Sequence, residues 1–201
     1  MNNPNETIIK LTILVICLIT YAFFSTHILA MDKKTVKKSV EIDAPIKEVF
    51  SYATNPKNLP ILMPNMKSVT AISPPTPGVG QSWYWEYKWM GTTLRGKSRV
   101  VKFDPPMRYV VESEGESGGE NPDIWIYTLS KGDMGTKVTL EIEYTISSSV
   151  PTKIANRVFI ERKIRGETQN SLEKLKTTME SNKYGKSGRK SLGQAEIALC
   201  N

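Results

Sequence analysis

The sequence predicts an α+β domain: a curved antiparallel sheet of about seven strands wrapped on a long C-terminal helix, with two short helices after the first strand. Three features carry this reading. Gly78–Phe103 forms a hairpin in which Trp83, Trp85, Tyr87 and Trp89 fall on one face of the first strand and Ser82, Tyr84, Glu86 and Lys88 on the other. Lys137–Ile146 alternates as cleanly, with Val138, Leu140, Ile142, Tyr144 and Ile146 opposite Thr139, Glu141, Glu143 and Thr145. After Pro151 the apolar period changes from two to that of a helix and holds to about Glu180. One face of the aromatic hairpin needs an apolar cover, and the C-terminal helix supplies it.

The 201 residues suit one domain plus extra segments, and 39% apolar with 23% charged residues is ordinary for a globular chain. The net charge of +7 and pI near 9.3 would suit an acidic partner. The lysines are spread along the chain and the signatures of nucleic-acid recognition are absent, so the charge reads as a solvated basic surface, with no nucleic-acid partner. Cys17 and Cys200 lie outside the expected domain, as does the single histidine, His27. A disulfide framework, a Ser-His-Asp triad, a Cys-His pair and a His- or Cys-ligated metal inside the domain are therefore excluded, and no cofactor is implied.

Residues 1–30 form a hydrophobic N-terminal unit, uncharged from Leu11 to Ala30, which is about the length of a membrane span. Read as an anchor, it gives membrane association through residues 11–30. Lys33, Lys34, Lys37 and Lys38 directly after it then place the domain on the cytoplasmic side. Two readings compete: a cleaved signal peptide, for which Ile28-Leu29-Ala30 is a poor cut site, and a soluble cytoplasmic protein whose true start is Met31.

The domain is expected over residues 31–181. Thr35–Ile42 is its first strand, with Val36, Val40 and Ile42 on one face. Asp43 reads as a helix N-cap with Pro45 in the first turn, and Ile46, Val49, Phe50 and Ala53 as the inner stripe of that helix. Asn55-Pro56 stops it. Asn58–Pro64 is too proline-rich for a long helix and reads as a short turn or irregular segment. Strands follow over Met66–Ile72, the two arms of the aromatic hairpin, Arg108–Glu114, Asp123–Leu129 and Lys137–Ile146, separated by loops rich in Pro, Gly, Asp and Ser.

In the C-terminal helix Ile154, Val158, Arg165, Leu172, Leu175 and Met179 lie near one stripe, interrupted in the middle by Glu161, Arg162, Arg165 and Gln169. An arginine on an apolar stripe needs an anion, so Arg165 is a candidate polar anchor, whereas a solvated or snorkelling face explains the other polar residues. Residues 182–201 read as a loose basic tail.

This order, with several local motifs, resembles the START-like superfamily, also called the helix-grip fold or SRPBCC group, and within it the polyketide cyclase/dehydrase and lipid-transport family. The likeness covers about residues 34–181. Val40–Phe50 is similar to the family's opening strand, Ala-Pro turn and helix, and Asn55-Pro56 with Leu59-Pro60 to the segment after it. Gly78-Val79-Gly80-Gln81 resembles the glycine-led approach to its third strand, and Asp104–Tyr109 its proline turn. The resemblance implies a cavity between sheet and C-terminal helix that holds a hydrophobic or aromatic molecule. It implies no catalytic set, because the family has no universal one.

Gly91–Ser98, GTTLRGKS, matches the phosphate-binding loop pattern G-x-x-x-x-G-K-[ST] letter for letter. That chemistry needs a helix starting at Lys97, and the β-branched, proline-stopped run after Ser98 does not supply one. The alternating hairpin accounts for the same letters. Glu112, Glu114, Glu116 and Glu120 crowd a glycine-rich segment and read as a solvated acidic loop.

The expected ligand wall is Phe50, Trp83, Trp85, Trp125, Tyr127, Ile154 and Val158, with Arg165 as the anchor and Trp89, beside the turn, the ring least expected to take part. The function expected is binding or carriage of a hydrophobic or aromatic small molecule: a lipid, a quinone or a polyketide-like compound. The alternatives are a cyclase or dehydratase working through Tyr, Glu or Arg, and an interaction module whose aromatic row is filled core. Nothing in the sequence sets the oligomeric state.

Overall fold

The protein is described by a computed structural model over residues 32–89, 91–116, 122–146 and 154–198, with side chains described for 33–89, 91–116, 122–145 and 158–181. In order, the elements are β1 (Asp32–Ile42), α1 (Ile46–Ala53), a 3-10 turn (Pro56–Asn58), α2 (Leu59–Leu62), β2 (Met66–Ser73), β3 (Ser82–Trp89), β4 (Thr92–Asp104), β5 (Arg108–Gly115), β6 (Asp123–Lys131), β7 (Thr136–Ile146) and α3 (Ile154–Ala198). The strands form one seven-stranded antiparallel sheet in the order β1-β7-β6-β5-β4-β3-β2. The expected class holds: a curved sheet, a long C-terminal helix and two short helices after the first strand.

Curvature comes from irregular register. In β4 an extra residue sits between Val100, opposite Val111, and Lys102, opposite Val110. Before it, Gly96, Ser98 and Val100 face inward; after it the parity flips, so Phe103 turns in and Lys102 out. Without that bulge a lysine would enter the core and a phenylalanine would leave it. Two further register shifts bend β2.

Strands β1 and β2 are the open edges of the sheet. Lysines along β1 discourage edge-to-edge pairing with another chain. Lys33 and Lys37 are also engaged within the sheet, 2.5 Å from Glu143 and 2.9 Å from Glu141 on β7. Exposed pairs of this kind contribute at most ~1 kcal/mol each, but they give the lysine run a role in the folded domain.

Helix α1 buries Val49, Phe50 and Ala53 as its spacing predicts. Its start differs from the expected one. Pro45 itself is the N-cap, with no side-chain bond, while the Asp43 backbone N–H donates to Glu180 Oε1 on α3 (3.1 Å). The main chain at Asp43 thus helps to dock the long helix. Beside it Lys176 Nζ donates to the Glu41 carbonyl (2.6 Å) and pairs with Glu180 (2.9 Å). Those donors hold the Glu180 carboxyl below its ordinary range.

In α3 the buried residues are Thr168, Ser171, Leu172, Leu175 and Met179, with Ile160 and Ile164 partly buried. Residues 182–198, expected as a loose tail, continue the helix. They contain no proline, and Lys183, Lys186, Arg189, Lys190, Ala195 and Glu196 favour helix while Gly185, Gly188 and Gly193 oppose it. Among the described residues no helix is long and apolar enough to cross a membrane. The N-terminal unit, 1–30, with its anchor, signal-peptide and start-site readings, lies outside the described residues, as do Cys17, His27 and Cys200.

Candidate functional site: a cavity under the long helix

The register of the central strands arranges the inward side chains in cross-strand rows. The first row is Phe103, Tyr109, Tyr127 and Leu140. Its rings touch in sequence, and Phe50 of α1 extends the chain: Phe50–Phe103 at 5.4 Å, Phe103–Tyr109 at 6.0 Å and Tyr109–Tyr127 at 6.1 Å between centroids. The second row is Val100, Val111, Trp125 and Ile142. The third is Trp83, Ser98, Ser113 and Asp123. Beyond it, Trp85 stands opposite Gly96 and Tyr87 opposite Leu94. The concave face therefore passes from aromatic and aliphatic side chains to a row containing two hydroxyls and a carboxyl.

Helix α3 does not fill the space over these rows. A cavity of about 620 Å³ remains, walled on the sheet side by Trp83, Trp85, Tyr87, Trp89, Leu94, Tyr109, Val111, Trp125, Tyr127, Ile142 and Tyr144. The helical side is Ile160, Ile164, Glu167, Thr168 and Ser171, and residues 53–66 close it with Ala53, Pro56, Leu59, Met63 and Met66. This volume and apolar lining suit a small organic molecule. All four tryptophans of the chain lie on the wall.

Polar groups gather in two places. Where β3 meets α3, Glu167 Oε2 accepts from the Tyr87 hydroxyl (2.5 Å), while Oε1 accepts from Asn65 Nδ2 (2.9 Å) and faces Lys163 Nζ (3.0 Å). Burial, reinforced by Glu167, pushes the Tyr87 phenol well above its ordinary range. The Lys163 ammonium also lies 5.0 Å over the Trp89 ring. This cluster ties helix to sheet, and both carboxylate oxygens are taken.

The second place is the third row. The Ser98 and Ser113 hydroxyls are hydrogen-bonded at 3.0 Å, and Asp123 is the register neighbour of Ser113. Burial alone pushes the Asp123 carboxyl up to about 6 from an ordinary 3.8. Burial likewise raises the Tyr109 and Tyr127 phenols beyond their usual range.

Of the expected wall, the cavity brings together Trp83, Trp85, Trp125 and Tyr127. Phe50 is buried, but its ring packs on Phe103 beneath the cavity and Ala53 is the α1 residue that reaches the wall. The side chain of Ile154 lies outside the described ones. Val158 is 54% exposed and Arg165 is exposed, and neither is on the wall. The reason is helical drift. A straight helix turns ~20° away per heptad step, so the series Leu172, Arg165, Val158 walks off the inner face, and Ser171, Thr168, Ile164 and Ile160 take it over. Glu161 pairs with Lys34 at 3.5 Å and Gln169 bonds Glu173 at 2.8 Å, as a solvated face requires.

Trp89 does line the cavity, against expectation, because β3 runs straight to the turn with its parity unbroken. Asp123 was missed, although alternation from Trp125 and Tyr127 puts it on the same face. Glu167 had no signal that set it on the wall, since its pair with Lys163, four positions away, is ordinary on a helix surface and its partners on the sheet side, Tyr87 and Asn65, are 80 and 102 positions away. Among the described residues no group of acidic, His or Cys side chains is placed to hold a metal.

A family model described as polyketide cyclase/dehydrase and lipid transport matches residues 33–180. No curated protein sequence matches the chain. Many solved structures share the fold. The di-domain ARO/CYC StfQ from the steffimycin biosynthetic pathway aligns with a TM-score of 0.64 at 13% identity, over 92% of this chain and 62% of that one. Ara h 8.0201 aligns with a TM-score of 0.56 at 15% identity, over 74% of this chain and 99% of that one. Major latex-like protein 151 from Panax ginseng gives 0.55 at 14%, over 73% and 97%. At such identities the likeness is one of fold. With its helix-grip architecture and a family match over most of its length, the chain belongs to the polyketide cyclase/dehydrase and lipid-transport family of the START-like superfamily.

Proposed function

We propose that the protein binds and carries a hydrophobic or aromatic small molecule, such as a lipid, a quinone or a polyketide-like compound, in the cavity between sheet and α3. The observation behind this is the cavity itself: about 620 Å³ of apolar-walled space where an interaction module would be close-packed. Rings on the wall offer stacking faces to a flat ligand. Trp83, Trp85, Trp125 and Tyr127 are the contacts proposed for it.

Because every tryptophan borders the cavity, intrinsic fluorescence is a direct reporter. A bound lipophilic ligand quenches or shifts most of the emission, and native mass spectrometry of protein purified without denaturation identifies what co-purifies. Unchanged emission across a panel of fatty acids, quinones and polyketide-like aromatics, together with a bare protein by mass, would refute the reading.

A cyclase or dehydratase is the second reading. It is favoured by one observation, a partly buried carboxyl, Asp123, on the wall among buried phenols. Conversion of a bound poly-β-ketone into a cyclised product would establish it.

A further inference from the structure

We propose that Asp123, supported by Ser113, is the specificity-determining contact of the cavity, receiving a hydroxyl donor at one end of an otherwise apolar ligand. This rests on the carrier reading and gives the ligand a chemistry: a planar or aliphatic body bearing a phenolic or alcoholic O–H.

Two carboxylates border the cavity, and they differ in whether their oxygens are already satisfied. Glu167 is committed, with Tyr87, Asn65 and Lys163 filling its oxygens. Asp123 is not: no ion pair or hydrogen bond ties its carboxylate to another described residue, and burial is the only cause of its raised titration. A partly buried carboxylate without a donor is costly, and the described residues supply none, so a ligand hydroxyl in the cavity would take the place that water otherwise fills. The geometry agrees. Asp123 opens β6 on the face that carries Trp125 and Tyr127, so a ring lying against those two presents its edge to the carboxylate. Ser113, one strand over, offers a second oxygen, and its bond to Ser98 fixes it in place.

Among the described side chains, the neighbouring elements bring few charges to the site. Tyr144 of β7 is near enough to feel the Asp123 charge. Lys34 of β1 and Glu161 of α3 are paired with each other, and Arg165 of α3 is exposed. No cation within the described residues neutralises the carboxylate, which suits a neutral donor and repels a ligand carboxylate.

The test compares 2-naphthol with 2-methoxynaphthalene, the same ring and oxygen without the donor, by equilibrium dialysis against the 201-residue chain at pH 7.5. The expected result is a preference of about tenfold or more for 2-naphthol, the range of a hydrogen bond to a charged group. Asp123→Ala brings the ratio near one, Asp123→Asn keeps part of it, and Ser113→Ala reduces it. Moving to pH 5, below the Asp123 titration near 6, lowers the wild-type ratio. Circular dichroism establishes that each variant is folded. Equal binding of both probes by the wild type, or a preference that survives in Asp123→Ala, overturns the inference while leaving the carrier reading standing. Binding of neither probe, with no quenching by larger ligands, overturns both.

Discussion

The ring of Trp85 occupies space that Gly96 leaves open on the opposite strand. The two residues are register partners across β3 and β4, and a Cβ on Gly96 would fall 2.3 Å from Trp85 Cζ2 and 2.1 Å from the Glu114 carbonyl oxygen. Neither neighbour is the loose end of a flexible chain.

Gly96→Ala therefore pushes a wall residue and a strand apart together. The expected loss is ~2–3 kcal/mol of stability by urea denaturation, with altered tryptophan emission. Gly166→Ala is the control. That glycine lies on α3 with open space around it, so alanine there gains up to ~1 kcal/mol through helix propensity.

The strand that carries Gly96 disposes of the phosphate-loop pattern. Gly91–Ser98 covers the turn and the first half of β4, and no helix begins at Lys97, whose ammonium lies 5.6 Å over the Tyr84 ring. Magnesium ATP should give no heat in a titration with the protein and no shift in its melting temperature, and Lys97→Ala should change neither result.

Tyr87→Phe removes the hydroxyl that Glu167 accepts, at the point where β3 is tied to α3. A bond to a charged group contributes ~1.5–3 kcal/mol, so the variant should melt several degrees lower. Faster hydrogen exchange should be confined to the first half of α3 and to β3. A loss spread evenly over the sheet would contradict this account of the helix's attachment.

Asp123 makes stability depend on pH. In the folded protein it titrates near 6 against an ordinary 3.8, so between those values the native state keeps a proton that the unfolded chain has released. Stability consequently falls as pH rises from about 4 through 6 and stays lower above. Asp123→Asn should be more stable than wild type by ~1–2 kcal/mol at pH 7.5, after allowance for partial exposure, with the advantage gone at pH 4. Denaturation curves at the two pH values test this.

Much of the sheet was legible because alternation survives in a single sequence. Once Trp83 is placed inward, Trp85, Tyr87 and Trp89 follow, and Tyr127 brings Trp125 and Asp123 with it. The bulge in β4 was not legible, since nothing local distinguishes Val101 from its neighbours; only the opposite demands of Lys102 and Phe103 reveal it. The helix was harder for a different reason. A stripe over some 25 positions accumulates angular drift, so the line that is buried at Leu172, Leu175 and Met179 has left the inner face by Arg165 and Val158, where Ile164 and Ile160 stand on the wall. Pairings such as Tyr87 with Glu167 depend on how elements meet in space and leave no mark along the chain.

The pairing of β1 with β7 has a consequence for how the protein is made. The first strand finds its neighbour only in residues 136–146, and α3, which packs on β1, comes later still. On the ribosome the hairpins from β2 to β6 can form as they emerge, but β1 waits with an open edge until nearly the whole domain has been synthesised. Domains dominated by such distant contacts fold slowly. Until α3 arrives, the tryptophan-bearing wall faces water rather than a closed cavity. The lysines of β1 then act in time as well as in space, keeping an unpartnered strand from joining another nascent chain.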